Sequence, residues 1–174
     1  MTERQKYVVK QVHKGFELRQ YEPCAIAEVS VNDEYRAAAS KAFRHLFNYI
    51  SKGNEQSKSI SMTAPVIAAT RHTIESREWK ISFVMPSGTM LKDLPIPGES
   101  RVVLRDLPSE DCVAISFRGR ATKSLSERKE EALRLSAQKE NYKLSAETRI
   151  CRFDPPFKPG LLHYNEIVIP LISD

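Results

Sequence analysis

The chain has 174 residues, of which 41% are hydrophobic and 28% are charged, and its formal net charge is +5. This composition provides enough apolar side chains for the core of one domain, and no stretch approaches the ~20 apolar residues of a membrane-spanning helix. Acidic and basic residues alternate and form no basic stripe with interleaved aromatic residues. We therefore expect neither nucleic-acid binding nor insertion into a membrane.

We expect a single domain over residues 1–174. The first residues carry no apolar core of a signal peptide, which predicts a cytoplasmic location. The three cysteines, Cys24, Cys112 and Cys151, form no close pair, and their odd, sparse count argues against a disulfide framework. They are expected to be small core or strand residues, with a thiolate that binds a metal or haem iron as the alternative.

Alternation of apolar and polar residues predicts strands near the N-terminus. Tyr7–His13 alternates loosely, as an edge strand does, and Phe16–Tyr21 alternates with period two, as a half-buried strand does. Pro23 breaks the pattern before the next strand, at residues 24–31. Because only a short break separates these last two strands, they are expected to form a hairpin.

A helix is expected over residues 34–52, with Asn32 or Asp33 as its N-terminal cap. One face carries apolar side chains at helical spacing: Tyr35, Ala39, Ala42, Phe43, Leu46 and Ile50. The flank of this face mixes an aromatic ring with polar and basic side chains: Phe47, Arg36, Ser40 and Arg44. Phe43 and Phe47 are either core residues or the apolar part of a ligand site on this flank, where an arginine would pair with a carboxylate.

Two residues with special backbone properties follow this helix. Gly53 comes after the last apolar helical residue and is expected to close the helix in the left-handed conformation. Pro65 interrupts the apolar run of residues 60–68 and cannot donate to a strand ladder, which favours an edge strand or a bulge. We therefore expect a helix followed by a distorted strand beside a cavity.

The second half of the chain predicts similar elements. Five strands are expected at residues 79–85, 101–106, 111–118, 148–153 and 164–171. A long connection with glycine and proline breaks, residues 87–100, joins the two halves. The capping-box pattern of residues 124–127 opens a helix that reaches about residue 142 and lies on the outside of the protein. Its few apolar residues are Leu125, Ala132, Leu133 and Leu135.

A weak internal repeat links the two halves. Leu18-Arg19 followed by a proline and Cys24 is matched by Leu104-Arg105 followed by a proline and Cys112. In each half, a pair of strands precedes a capped helix and further strands follow. This order predicts an α+β fold in which two antiparallel units join into an open, barrel-like body.

The sequence contains no catalytic constellation. It lacks a glycine-rich phosphate loop, a His-Glu-x-x-His motif and a Gly-x-Ser-x-Gly motif, so we expect a protein that is not an enzyme. The four histidines are not spaced as metal ligands. His163 has a functional alternative because it follows a proline-stiffened loop, residues 154–160, that carries Phe157 and Lys158. A single histidine near an apolar groove is enough to ligate haem iron.

The stretch from Tyr49 to Val66 resembles the signature of the SOUL/haem-binding-protein family. It reads Tyr49-Ile-x-x-Gly53-Asn54 and then Met62-Thr-Ala-Pro-Val66. Further segments extend the resemblance over nearly the whole chain: residues 16–23, residues 79–86, Leu94-Pro-Ile-Pro97, residues 153–159 and Asn165-Glu-Ile-Val168.

The resemblance implies a distorted antiparallel β-barrel with two flanking helices and a pseudo-twofold repeat. It also implies a groove for haem or another tetrapyrrole between the first helix and the 154–160 loop. Lys158 matches the loop lysine of one branch of the family. Other positions depart from the family: Gln20 replaces a proposed haem-ligating histidine, Ser40 and Asn48 replace an arginine and a lysine, and His163-Tyr164 replaces two arginines.

We therefore expect a haem or tetrapyrrole carrier or buffer. The candidate binding residues belong to the helix flank and the late loop: Ser40, Phe43, Arg44, Phe47, Lys158 and His163. Apolar contact would hold the macrocycle, basic side chains would pair with its propionates, and the axial ligand of the iron is left open. No separate metal site is expected. The alternatives are a small-molecule-binding domain of the related regulatory type with another flat apolar ligand, and an enzyme that acts on such a ligand.

Overall fold

The computed structural model describes residues 2–173, which form eleven strands, two α-helices and two short 3-10 helices. The strands are β1 (Glu3–Arg4), β2 (Tyr7–His13), β3 (Phe16–Tyr21), β4 (Cys24–Asn32), β5 (Thr63–Ala64), β6 (Val66–Thr70), β7 (Glu78–Val84), β8 (Val103–Leu107), β9 (Glu110–Arg118), β10 (Thr148–Arg152) and β11 (Tyr164–Pro170). The helices are α1 (Tyr35–Ile50) and α2 (Lys123–Lys139), and the 3-10 helices are Leu91–Asp93 and Gly160–Leu162.

Nine strands form one curled antiparallel sheet in the order β2-β3-β9-β11-β10-β6-β7-β4-β8. β2 lies at one edge of this sheet, as its loose alternation predicted. α1 packs on β4 and β7, and α2 packs on β9 and β11. The predicted α+β class, an open antiparallel barrel with two flanking helices, is confirmed.

The sheet has a pseudo-twofold axis between β6 and β10. Without β2, the strand order reads β8-β4-β7-β6 on one side of the axis and β3-β9-β11-β10 on the other. The two central strands pair antiparallel across the axis, with Ala68 opposite Ile150. Apart from β1, β2 and β5, each strand and each helix of one half therefore has a counterpart in the other, which confirms the predicted repeat.

The register of the ladders identifies the equivalent residues of the two halves. Arg19 lies opposite Cys112, and Arg105 lies opposite Ile26. Counted outward from the axis, Arg19 and Arg105 are equivalent, as the repeat in the sequence predicted. Cys24 and Cys112 are not equivalent, because the counterpart of Cys112 is Ile26.

The predicted hairpin between β3 and β4 is wrong. β3 pairs with β2 and β9, whereas β4 pairs with β7 and β8, so the two strands lie near opposite ends of the sheet. The three-residue step from Tyr21 to Cys24 reaches at most about 11 Å, so the curl of the sheet must bring its ends close together. The step from Leu107 to Glu110 makes the same crossing from β8 to β9.

The curled sheet buries side chains on both faces. The face toward the helices forms the helix-side core, whose most deeply buried members include Ala42, Leu46, Trp79, Ile81, Leu133, Ile150 and Ile167. The inside of the curl forms a smaller inner core of Tyr21, Ile26, Ile67, Val84, Leu107, Cys112, Ala114, Cys151 and Val168. The three cysteines are free thiols, two of them fully buried.

The N-terminal cap of α1 differs from the prediction. Glu34 is the cap, and its carboxylate accepts hydrogen bonds from the backbone N–H groups of Arg36 and Ala37. Asp33 instead accepts from the N–H of Glu34, and Asn32 is the last residue of β4. A glutamate replaces the shorter caps because its longer side chain still reaches the unpaired N–H groups of the first turn.

The left-handed residue after α1 is Lys52, with φ of 80°, and not Gly53 as predicted. The N–H of Gly53 donates to the carbonyl of Asn48 at 2.8 Å, which is the long bond of a Schellman motif. A Cβ at position 53 would lie 2.5 Å from the oxygen of Asn48. Glycine is required there for close backbone approach.

Residues 94–99 are held against the end of α1, in part by the Tyr49–Val66 stretch that resembles the family signature. The Tyr49 hydroxyl donates to the carbonyl of Pro95 at 2.7 Å, and the N–H of Gly98 donates to the carbonyl of Gly53 at 3.0 Å. The Glu99 carboxylate contacts Nδ1 of His45 and the amide of Asn48 on α1. These contacts give much of the signature a structural role.

The apolar run around Pro65 also differs from the prediction. It splits into β5, which pairs parallel with β1, and β6, which lies at the centre of the large sheet. Pro65 stands between the two strands, so the central strand loses no ladder hydrogen bond to it. The edge-strand alternative is therefore wrong, and the distortion is a break between two sheets.

α2 begins two residues earlier than its capping pattern predicted. Thr122 is the cap, and its hydroxyl accepts from the N–H of Leu125 at 3.2 Å, so Ser124 lies inside the helix. Ala132 and Leu135 are exposed, in contrast to their predicted place on the apolar stripe. The buried positions are Ser126, Leu133 and Ala137. The charged face is on the outside, as predicted.

Candidate functional site

One stripe of α1 carries the four helical candidates. Ser40, Phe43, Arg44 and Phe47 occupy positions i, i+3, i+4 and i+7 of the helix, so their side chains share one face. Phe43 is half-buried and contacts the edge of the Phe83 ring at 5.4 Å. The Phe47 ring stacks on the Phe43 ring with 5.9 Å between the ring centres, and 49% of the surface of Phe47 is exposed. The stripe presents an aromatic pair that is anchored on one side and open on the other.

The loop of residues 154–163 carries the two other candidates. The Lys158 amine donates to the Asp154 carboxylate at 2.8 Å, and this bond, ahead of other contributions, lowers the pKa of Asp154. The ring Nε2 of His163 lies 2.7 Å from the carbonyl oxygen of Lys158. Because a carbonyl only accepts, Nε2 carries the proton and Nδ1 is the ring nitrogen available to a ligand.

The structure joins the candidates in two groups. The four helical residues share the α1 stripe, and Lys158 and His163 share the loop. Within residues 2–173, no hydrogen bond or ion pair connects α1 to the loop.

Arg152 lies near the start of α1 and was missed in the sequence. Its guanidinium is 5.9 Å from the centre of the Tyr35 ring on α1, and only Phe153 separates it from the loop. It forms no ion pair in the described part of the chain. The alternation of β10 contained the signal, because Arg152 falls on the same face of the strand as Ile150, which packs under the helices.

A second concave surface lies inside the curl, on the sheet face opposite the helices. This inner cleft has a volume of about 1040 Å³, and apolar side chains such as Ile26, Ile67 and Leu107 form part of its wall. Ionic side chains line the same wall. Glu28 is only 6% exposed and accepts two bonds from Arg105, at 3.2 and 2.8 Å, and one from Ser82 at 3.1 Å.

A second ionic group completes the inner cleft. Arg149, which is 7% exposed, contacts Glu110 at 2.6 Å and Glu147 at 2.7 Å. The two carboxylates exceed the single guanidinium by one negative charge. With the balanced pair of Glu28 and Arg105, and with Arg71, Lys80 and Glu78 on the same lining, four acidic and four basic side chains balance one another in the cleft.

The third ionic group lies beyond the inner cleft, in the same face of the sheet. Arg19 forms two bonds with Glu166, at 2.9 and 2.8 Å, and one with the Tyr21 hydroxyl at 3.0 Å. The Tyr164 hydroxyl donates to Glu166 at 2.7 Å. Burial, together with this carboxylate, raises the pKa of Tyr164 to about 12. These side chains satisfy one another and leave no open reactive group.

Other reactive side chains do not assemble into a site. Within residues 2–173, no three histidine, cysteine or acidic side chains group as metal ligands. Burial raises the pKa of Cys112 to about 12 and that of Cys24 to about 11, which disfavours their thiolates. In the same part of the chain, no helix is long and apolar enough to span a membrane.

The architecture defines an α+β domain built on a curled, pseudo-twofold antiparallel sheet with both helices on one face. The family model described as SOUL heme-binding protein matches residues 2–170, nearly the whole chain. The chain belongs to the SOUL heme-binding protein family, which is a haem-binding family. Comparison with curated protein sequences gives no significant match.

Solved structures of several proteins share the fold. The C-terminal domain of EcmrR is 12% identical, with a TM-score of 0.70 over 91% of this chain and 98% of that one. A hydrolase from Listeria innocua is 12% identical, with a TM-score of 0.63 over 94% of each chain. SAV2435 bound to tetraphenylphosphonium is 11% identical, with a TM-score of 0.53 over 91% of this chain and 94% of that one. At these identities the similarity concerns the fold.

Proposed function

We propose that this protein is a non-enzymatic, cytoplasmic carrier or buffer of haem or a related tetrapyrrole, and that it works as a single domain. The ligand would lie on the open surface between the α1 stripe and the 154–163 loop. The observation that carries the proposal is the stacked pair of Phe43 and Phe47, whose outer ring is half exposed although its inner ring is anchored on the core. Membership of a haem-binding family supports this ligand class.

The side chains around the aromatic pair fit a porphyrin. A flat macrocycle gains free energy by covering the Phe47 ring, since aromatic rings stack with offset. Arg44 and Arg152 have no carboxylate partner within residues 2–173 and are the first candidates for the propionates, with Ser40 as a hydroxyl donor on the same stripe. Lys158 is a weaker candidate, because Asp154 already balances its charge. Haem would add redox chemistry at its iron.

Replacing Phe47 with alanine is expected to weaken haemin binding about tenfold, or ~1.4 kcal/mol, because the macrocycle loses an aromatic contact surface. A haemin titration followed by the Soret absorption band measures the affinity. Leu135→Ala is the matched control, since it removes a 54% exposed apolar side chain from α2 and should leave affinity unchanged. Equal affinities of wild type and the Phe47 variant would remove the α1 stripe from the site.

The same titrations separate groove binding from iron ligation. Haemin and metal-free protoporphyrin are expected to bind with affinities within about tenfold of each other, because apolar burial does not depend on iron. His163→Ala should change haemin affinity little. A hundredfold advantage for haemin that disappears in this variant would instead make His163 the axial ligand, through its Nδ1 atom.

The inner cleft supports a second candidate function, that of a binding domain for an apolar organic cation. Its volume of about 1040 Å³ is at the upper end of the range for small-molecule sites. The nearly buried carboxylate of Glu28 lies on its wall beside apolar side chains. SAV2435, which shares the fold, was solved with tetraphenylphosphonium bound, and this cation is the natural probe.

Titration calorimetry with tetraphenylphosphonium tests the second candidate. The wild type is expected to bind, and Glu28→Gln should weaken binding about tenfold because the cation loses a nearby carboxylate in a poorly solvated site. Glu78→Gln is the control, since this glutamate lies at the rim with 72% of its side chain exposed. A wild type that does not bind the cation excludes this function and leaves the tetrapyrrole proposal standing.

A further inference from the structure

The 154–163 loop exposes an unusual amount of apolar surface at its tip. Phe157 is 89% exposed, Leu161 is 87% exposed and Leu162 is 55% exposed. Three prolines and the 3-10 helix Gly160–Leu162 restrict the backbone of this segment. The loop therefore presents large apolar side chains on a stiff projection, where their exposure to water is unfavourable.

Two arginines brace the base of the loop. Arg118 donates from Nη1 to the carbonyl of Leu162 at 3.3 Å and lies 5.2 Å from the centre of the Tyr164 ring. The side chain of Arg120 packs against Gly160, where a Cβ atom would collide with it. Both arginines are exposed, and within residues 2–173 neither pairs with a carboxylate.

We propose that this loop docks on the surface of an anionic lipid bilayer. Phe157, Leu161 and Leu162 would enter the interface between headgroups and acyl chains, and Arg118 and Arg120 would pair with lipid phosphates. A bilayer suits a projecting tip, because it needs no preformed pocket to accept the side chains. The contact is peripheral and involves one loop, so it differs from the spanning segment that the sequence does not predict.

The proposal uses other side chains of the 154–163 loop than the tetrapyrrole site does. Phe157, Leu161 and Leu162 are not among the residues assigned to haem, and docking would work with the groove empty or filled. The two proposals can therefore fail independently.

Sedimentation of the full chain with vesicles tests the proposal. The wild type is expected to bind vesicles of phosphatidylcholine and phosphatidylserine more strongly than vesicles of phosphatidylcholine alone. Phe157→Gln and Leu161→Gln should each reduce the partition coefficient about tenfold, and Arg120→Gln about fivefold. Leu135→Gln is the matched control, since it makes the same change at an exposed position of α2 and should have no effect.

A fluorescent reporter locates the contact on the molecule. The single native tryptophan, Trp79, is 2% exposed, so its emission should not respond to vesicles. Phe157→Trp adds a probe at the tip, and its emission should shift to the blue with anionic vesicles and be quenched by lipid-attached quenchers.

Three results would overturn the docking proposal. They are a wild type that does not bind anionic vesicles, equal binding to neutral and anionic vesicles, and binding that persists in both glutamine variants of the tip. The first and third results would assign the apolar tip to a protein partner, and the second would remove the anionic headgroups and the two arginines from the contact.

Discussion

Replacing Arg19 with methionine is expected to lower the free energy of unfolding by about 3–5 kcal/mol, since removing one partner of a buried ion pair leaves an uncompensated charge. Arg19 is 4% exposed and Glu166 is 3% exposed, and two hydrogen bonds join them. Methionine retains much of the length of the arginine stem but cannot donate to the carboxylate. Urea denaturation of wild type and variant measures the difference.

The pseudo-twofold axis provides a matched control for this prediction. Arg105 occupies the equivalent position and also makes two bonds to a glutamate, but 43% of its side chain is exposed, compared with 5% for Arg19. Water can replace part of its interaction with Glu28, so Arg105→Met is expected to cost less, about 1–2 kcal/mol. Equal losses at the two positions would mean that burial does not set the strength of these pairs.

Leu46→Ala is expected to lower the free energy of unfolding by about 2–5 kcal/mol, as large-to-small substitutions in packed cores do. Leu46 is completely buried where α1 packs on β4 and β7. The truncated side chain would leave a cavity between helix and sheet that neighbouring residues cannot fill. Thermal and urea melts of the variant give the magnitude.

The adjacent residue separates folding from binding. Phe47 is 49% exposed, so Phe47→Ala should change stability much less than Leu46→Ala while weakening haemin binding. A Leu46 variant that melts like the wild type would contradict the assignment of the buried face of α1. A Phe47 variant that loses stability as strongly would place its ring in the core instead of at a ligand surface.

Hydrophobic periodicity predicted well where strands occur along the chain, but it did not predict which strands lie side by side. The runs that became β3 and β7 alternate clearly, because one face of each strand packs on the helix-side core. Period-two alternation says which side chains share a face but not which strand lies alongside. The hairpin between β3 and β4 was therefore inferred from proximity in sequence, whereas the curl of the sheet allows a short link to join its two ends.

The charged residues of the strands show a second limit of sequence periodicity. Arg19, Glu28, Arg149 and Glu166 stand at alternating positions, and such a pattern normally marks the solvent side of a sheet. Here that side is the inside of the curl, where all four are at most 7% exposed. Their pairing depends on strands that are far apart in sequence, which periodicity along one strand cannot reveal.

The candidate site was predictable in its parts. Spacing of three and four residues placed Phe43 and Phe47 on one stripe of α1, and the prolines marked the late loop. Arg152 was missed because its position near the start of α1 depends on the order of strands. The meeting of these parts around one ligand is a prediction that the haemin titrations address.

The crossing strands have a consequence for how the two halves depend on each other. In the first half, β4, β7 and β6 are neighbours, whereas β3 lies beside β9 of the second half. In the same way, β8 of the second half lies beside β4 of the first half. Neither half could complete its own ladder alone. Two copies of one half, related by a true twofold axis, would supply each other's missing strand, which is the geometry of a domain-swapped dimer. The protein is in this sense a swapped dimer within a single polypeptide.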